Sequence, residues 1–383
     1  MKVLFITHHY LEDIGGGCFA SRAFVKAFSS ISERMILLFP SRTGNEELSF
    51  LPKEIEKKPV TYNLCRLGKL INLFTGKVHR FYEIAKEWAD STDIDTVVFD
   101  TSVVSAGIIR MFKKKNVKII VIHHNYQYEY FRDNTPLLLL IPTLYWCRKY
   151  EGEAVRTADL NITLTNQDKQ LLAKHYNNGN DSNFSTLGIF ESEKNIPLPA
   201  ITNQVFSTRF VITGDLSAIQ TKRCIKHWIK KYYPVLHDVF PNASLTIAGR
   251  HPEKKLYSLC LRNGINLIAS PESLDPILAN ADYYICPIYL GGGIKLRIMD
   301  GLKYGLPVIT HSVSARGYDS SAGKDFIFQY HSVEEFKQRL EEIKNCSFNR
   351  DAVRNTYLSA FSLESGCAKL REIIDKKYER KEQ

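Results

Sequence analysis

The sequence predicts an α/β protein made of two doubly wound, parallel-sheet domains. Three observations predict it. The chain has 383 residues, more than one ordinary core holds, so two domains are expected. Short apolar runs alternate with helical periodicity, the mark of parallel βαβ units. The alternation pauses over residues 191–204, which carry Pro197 and Pro199 and few apolar anchors, and then restarts.

In the first half, residues 3–6 form a strand and 19–29 a helix with Phe24, Ala27 and Phe28 on one face. Strands follow at 35–39, 97–99 and 119–122, with a helix at 106–112 between the last two. A strand at 160–164 and a helix at 167–176 complete this half. In the second half, a strand at 210–213 ends at Gly214, a helix spans 222–236, and a strand at 244–248 ends at Gly249 and Arg250. Helices at 252–263 and 274–280 alternate with strands at 265–268 and 283–287. A helix beginning near Ile294 leads through Gly-Leu-Pro to a strand at 307–311, and helices cover 334–345 and 352–377. The expected domains are 1–195 and 205–355, with 356–383 a terminal helix crossing back to the first. Ligands are expected at the carboxyl ends of the strands, in a central cleft between facing domains.

Composition narrows the function. Hydrophobic residues make up 44% and charged residues 24%, ordinary for a soluble globular protein. No apolar run reaches the roughly 18 residues a spanning helix needs; the longest, 137–146, carries Pro142. The first residues turn polar at Thr7 and read as a strand rather than a signal peptide. Eight scattered cysteines without a Cys-x-x-Cys pair indicate reduced thiols in a cytoplasmic protein and no zinc site. The net charge of +10 suits phosphorylated substrates or an anionic membrane surface, and no nucleic-acid module is present.

The stretch from Tyr289 to Ile309 is the most informative. Gly291, Gly292 and Gly293 let backbone N–H groups approach a ligand. A helix starting near Ile294 points its N-terminus at that loop, and Lys295 adds a cation; both favour a phosphate. Asp300 offers a carboxylate to a ribose. Together they suggest a nucleotide diphosphate site.

Other candidates lie at strand ends. Gly15, Gly16 and Gly17 match the letters of a dinucleotide fingerprint. The loop does not follow its strand directly, however, and strand two ends without an acid, so nicotinamide and flavin are excluded. The loop remains either a plain turn or a contact for phosphate or acceptor. His123, His124 and Asn125 end a buried strand, where α/β enzymes place reactive groups; a structural role for the histidines stays open. His8 and His9 hold the equivalent tip of the first strand. Lys222, near a helix start, is a candidate to neutralise a leaving diphosphate, and Arg250 a candidate for the base pocket. Asp95 and Asp100 flank their strand and read as turn residues. No metal-binding Asp-x-Asp ends a strand.

The second half resembles the retaining GT-B glycosyltransferases of the group 1, family 4 type. The motifs are those at 210–217, 241–250, 281–287 and 291–307. The first half matches more loosely, through its glycine loop and His124-Asn125, and Phe361-Ser-Leu-Glu364 looks like the segment before the family's back-crossing helix. The resemblance implies a GT-B fold of two Rossmann-like domains and sugar transfer from a nucleotide diphosphate sugar, with retention and without a metal or other cofactor. It implies that Gly292, Gly293, Ile294 and Lys295 meet the donor phosphates and that Asp300 binds the ribose. It also implies that His124 lies near the transferred sugar, and that Gly16 and Gly17 approach the diphosphate or the acceptor. It departs from the family at Gly292, where a glutamate is usual, and at Asp215, where an arginine is usual. Those departures keep a non-catalytic nucleotide- or glycan-binding subunit open as the alternative. The expected acceptor is a glycan or lipid-linked glycan, with peripheral contact at the inner membrane face through Lys113–Lys115 and the 137–146 run.

Overall fold

The computed structural model describes residues 1–44, 46–61, 81–90, 93–115, 117–191, 208–291, 293–318 and 325–378. The chain divides into two compact units, one of residues Met1–Lys194 with Ser362–Gln383 and one of Asn195–Phe361. Apart from Glu191, the linker expected at 191–204 lies outside the described residues.

The first unit holds a seven-stranded parallel sheet. Its strands are β1 (Lys2–Thr7), β2 (Arg34–Ser41), β3 (Glu56–Thr61), β4 (Thr96–Asp100), β5 (Lys118–His123), β6 (Leu160–Thr163) and β7 (Phe184–Thr186). Their order is β3-β2-β1-β4-β5-β6-β7. A parallel sheet covered on both faces needs continuous apolar strands, and β1, β4 and β5 are buried at every position but Lys2 and Lys118. Their outward neighbours on one face include Phe81, Ile109, Phe112 and Ala154. The edge strand β3 reads Glu-Lys-Lys-Pro-Val-Thr, charged and proline-bearing, which discourages pairing with another chain. Alternation did not signal it for the same reason.

The second unit holds a six-stranded parallel sheet: β8 (Arg209–Asp215), β9 (Ser244–Arg250), β10 (Asn266–Ala269), β11 (Tyr283–Cys286), β12 (Val308–His311) and β13 (Ile327–Tyr330). The order is β10-β9-β8-β11-β12-β13. Its core gathers around Trp228, Tyr330, Phe336 and Ile285, all essentially inaccessible.

Two expected helices are each divided. The one at 222–236 becomes Ile219–Lys231 and Tyr233–Val239, because Pro234 sits at the start of the second, where its missing N–H costs nothing. The one at 352–377 becomes Arg350–Phe361 and Leu363–Tyr378, and the boundary between the units falls at that break. The helix placed near Ile294 begins instead at Arg297 and runs only to Lys303. The apolar run at 137–146 forms the first half of a 21-residue helix, Leu137–Thr157, with Pro142 inside it. No described helix is long and apolar enough to cross a membrane. Among the described residues every cysteine is a free thiol; Cys224, Cys260 and Cys286 are buried, while Cys346 is exposed.

Candidate functional site

In both sheets the strand order reverses once, between β1 and β4 in the first and between β8 and β11 in the second. At such a switch the connecting helices leave to opposite faces and open a crevice beyond the carboxyl ends of the strands. The polar side chains of each unit converge there.

In the first unit the centre is Asp100. It ends β4, is fully buried, and is the register partner of Thr7 at the end of β1. Its Oδ1 lies 2.6 Å from His124 Nε2. Its Oδ2 accepts from Thr7 Oγ1 at 2.6 Å and from Ser21 Oγ at 2.5 Å. Ser21 Oγ in turn lies 2.7 Å from His9 Nδ1. Burial alone would raise the Asp100 pKa, but the neighbouring His124 and the hydrogen bonds the carboxyl accepts outweigh it and hold it well below its ordinary range. Asp100 is thus the hub of the site, not a turn residue. Asp95 does serve locally, accepting from the Lys2 N–H at 2.9 Å.

The histidines divide into two kinds. His123 faces inward, its Nε2 2.9 Å from Asn161 Oδ1, and burial lowers its pKa to about 4; it is structural. His8 bonds Thr101 Oγ1 at 3.0 Å and is pushed down to about 3 by burial. Thr101 adopts φ +95°, a conformation rarely tolerated without glycine and typical of strained functional loops. His9 and His124 face each other, ring centroids 5.3 Å apart, with Asp100 between their bases. Gly16 opens the helix Gly16–Ile31. Gly17 lies under His9: a Cβ there would stand 2.7 Å from His9 Nε2, so only glycine leaves room for the ring.

In the second unit the loop after β11 carries Gly291 and Gly293 at φ +82° and +73°. Gly292 lies outside the described residues. Ile294 and Lys295 belong to this loop rather than to a helix, and the helix after it has seven residues, too short for a strong dipole. The positive charge at this loop comes from side chains instead. Lys295 is half-buried; burial lowers its pKa, and the nearby Arg297 and Arg316 push in the same direction. Arg297 was not singled out from the sequence. Its guanidinium lies against β8 where a Gly214 side chain would be, a Cβ there standing 2.7 Å from Cζ. Arg297 Nη2 reaches Thr221 Oγ1 at 3.4 Å, and Nη1 is buried without a partner among the described residues. Asp300 sits in the first turn of the same helix. It and Arg297 act with opposite sign on the buried Tyr284 hydroxyl, which bonds Thr213 Oγ1 at 2.8 Å. Asp300 and Arg297 therefore both lie within electrostatic reach of the Tyr284 hydroxyl, and Arg297 also lies on Gly214 near the end of β8.

The remaining candidates lie elsewhere. Lys222 is 3.7 Å from Glu253, which also pairs with Lys226, so its charge is engaged in a surface cluster. Asp215 accepts from the Ser217 N–H and hydroxyl, closing the turn after β8. Arg250 ends β9 as the register partner of Asp215.

This geometry has relatives. Residues 203–345 match the family model for glycosyl transferases group 1. A Klebsiella pneumoniae protein described as an uncharacterized 44.6 kDa protein in the cps region is 28% identical over 155 residues, 38% of this chain. The chain spans only 40% of that relative's length. Among solved structures, the sucrose-phosphate synthase of Thermosynechococcus elongatus has a TM-score of 0.73 at 11% identity, covering 99% of both chains. Anabaena Alr3699/HepE in complex with UDP gives 0.68 at 12%, over 98% of this chain and 100% of that one. The lipopolysaccharide outer core galactosyltransferase WaaB in its apo form gives 0.65 at 13%, again over 98% and 100%. The fold of this chain is GT-B.

Proposed function

We propose that this chain moves a sugar from a nucleotide diphosphate sugar to an acceptor hydroxyl, with retention, in the synthesis of a polysaccharide or glycoconjugate. The observation that carries the reading is Arg297, whose buried Nη1 has no partner among the described residues, beside the glycine loop. A buried guanidinium N–H left unpaired is costly, and an anionic ligand oxygen is the partner it lacks. Lys295 and the N–H groups of Gly293 and Ile294 supply further phosphate contacts, and Asp300 accepts from the ribose. The group 1 match over 203–345 covers these residues, and the HepE complexes with UDP and with UDP-glucose support a nucleotide-linked donor.

In the reaction, the bond between the donor's anomeric carbon and its phosphate oxygen breaks, and a bond from that carbon to the acceptor oxygen forms. The acceptor proton passes to the departing phosphate oxygen, so atoms and charge balance. Arg297 and Lys295 stabilise the charge that grows on the leaving diphosphate. His124 contacts a hydroxyl of the sugar.

The acceptor is proposed to be a glycan or lipid-linked glycan, reached by peripheral docking on an anionic membrane. Leu137, Leu138, Ile141 and Tyr145 project on one exposed face of their helix, Leu138 being 93% accessible. Arg148 and Lys149 are exposed just beyond them, matching an anionic headgroup layer.

Calorimetry with UDP and GDP, followed by a transfer assay over an acceptor panel, tests the main reading. Binding of neither nucleotide at millimolar concentration defeats it. Binding without transfer or donor hydrolysis points instead to a non-catalytic subunit.

A further inference from the structure

The proton inventory around Asp100 determines which nitrogen each imidazole shows to a ligand. Asp100 Oδ2 takes the Thr7 and Ser21 hydroxyls and Oδ1 lies 2.6 Å from His124 Nε2, the surroundings of a carboxylate, so each group bonded to it donates. Thr7 gives its hydroxyl proton. Ser21 has one proton and two possible acceptors, Asp100 Oδ2 at 2.5 Å and Gly17 O at 3.0 Å. Sending it to Gly17 would leave two oxygens 2.5 Å apart with no proton between them, so it goes to Asp100. His9 Nδ1, 2.7 Å from the same Ser21 oxygen, must then carry a proton and donate it. His124 must carry its proton on Nε2, 2.6 Å from Asp100 Oδ1.

We propose that Asp100 is a positioning residue that fixes the tautomers of His124 and His9, so that His124 Nδ1 and His9 Nε2 are the nitrogens that meet a ligand hydroxyl. A ring proton held in such a hydrogen bond leaves the opposite nitrogen of a neutral imidazole as an acceptor. Two such acceptors on facing rings select a polyol, whose hydroxyls donate, over a phosphate, which only accepts. Gly17 supports the arrangement, because any side chain there would strike His9 Nε2. The identity of the hydroxyl, a sugar's, rests on the transfer reading above; the tautomers do not. The ligating atoms of His9, Asp100 and His124 lie within 4.8 Å of one another, a spacing that a divalent cation also accepts. Asp100 already accepts three hydrogen bonds, however, and a cation would have to displace the one from His124.

The test is long-range ¹H–¹⁵N NMR of the full chain labelled with ¹⁵N-histidine. The His124 and His9 signals are assigned by their loss in His124→Gln and His9→Gln. The expected wild-type spectrum shows the proton on His124 Nε2 and on His9 Nδ1. A proton on His124 Nδ1 overturns the proposal without any variant. In Asp100→Asn the new amide donor competes with the ring, and the Nε2–H form of His124 should fall below half; an unchanged tautomer overturns the positioning role. If Asp100→Asn does not fold, Ser21→Ala decides. It should shift the His9 tautomer and leave that of His124, and a shift at neither ring overturns the inventory. Titration with Zn²⁺ alone should leave both rings uncoordinated, and stoichiometric movement of both to metal-bound shifts overturns the hydrogen-bonded hub. Where transfer is measurable, Asp100→Asn should lower kcat on the order of 10²-fold with KM within about threefold. Unchanged kcat with an altered tautomer overturns the catalytic relevance. Correct tautomers with no transfer by the wild type sink the transfer reading alone.

Discussion

The Arg297 guanidinium lies against the main chain of Gly214, occupying the space where any side chain at that position would stand, with Cζ 2.7 Å from an ideal Cβ. The relationship explains two features of the sequence at once. Glycine stands next to last in β8, where the arginine of another segment lies on its surface, and its φ of +152° is one that other residues avoid. The cation at this strand tip comes from Arg297, so Asp215 is free to close a turn.

Arg297→Ala should weaken binding of UDP or GDP by about 1.5–3 kcal/mol, roughly tenfold to a hundredfold, the worth of a charge-assisted hydrogen bond. Gly214→Ala should do the same without touching the ligand, by displacing the guanidinium. Calorimetry on both variants, with thermal melts to confirm folding, checks the pair. Normal binding by both would remove Arg297 from the donor site.

Leu138 and Ile141 are so exposed that changing them should leave thermal stability within about 0.5 kcal/mol. Each leucine or isoleucine buried in a bilayer contributes about 1.5–3 kcal/mol. Leu138→Ser with Ile141→Ser should therefore cut co-sedimentation with phosphatidylglycerol vesicles at least tenfold. Raising the salt should weaken the remaining binding, because Arg148 and Lys149 act electrostatically.

Glu151 gives the first unit a pH dependence. It is buried, accepting from the Gln127 N–H at 2.8 Å and from Tyr176 Oη at 2.9 Å, and burial raises its pKa to about 8. A carboxyl with a raised folded pKa binds its proton more tightly when folded. Its contribution is complete below the unfolded value and is lost as pH rises from about 4.5 toward 8. Wild-type melting temperature should fall across that window, by the equivalent of a few kcal/mol. Glu151→Gln should flatten the fall. A parallel decline in both proteins would locate the titration elsewhere.

Charge on the leaving diphosphate is assigned to Lys295 and Arg297, and no divalent ion is given a part in the transfer. Donor turnover in excess EDTA should therefore match turnover in magnesium. Loss of activity in EDTA, restored by one metal, would require a cation in the donor site.

The parallel sheets were legible because buried strands must be continuously apolar, and segments such as 3–6, 97–99 and 119–122 are recognisable by that alone. The strands that escaped notice are β3 with its lysines and Pro59, β7, only three residues long, and β13, whose four residues Ile-Phe-Gln-Tyr make too short a run to stand out. Of the candidate site, His124 could be named because it follows a buried strand, and Lys295 and Asp300 because they follow a run of glycines. Asp100 and Arg297 could not. Asp100 acquires its role from Thr7 and Ser21, 93 and 79 positions away, and the site of Arg297 depends on a glycine that a linear reading takes for a turn. The helix expected to start near Ile294 starts later because the loop continues through Leu296, which puts Arg297 at the first helical position.

The helix Leu363–Tyr378 belongs to the first unit, although the whole second unit separates it from the rest in sequence. It packs on the helix Gly16–Ile31, and its Gly366 lies flat on Phe190, whose ring meets Phe24 edge-on at 5.4 Å. A ribosome making about 5–20 residues per second completes that helix roughly ten to forty seconds after residue 194. Until then the nascent first unit lacks the helix that packs on Gly16–Ile31 and on Phe190. Order of synthesis, rather than the stability of the finished protein, then sets when the first unit is most exposed to aggregation and to chaperones.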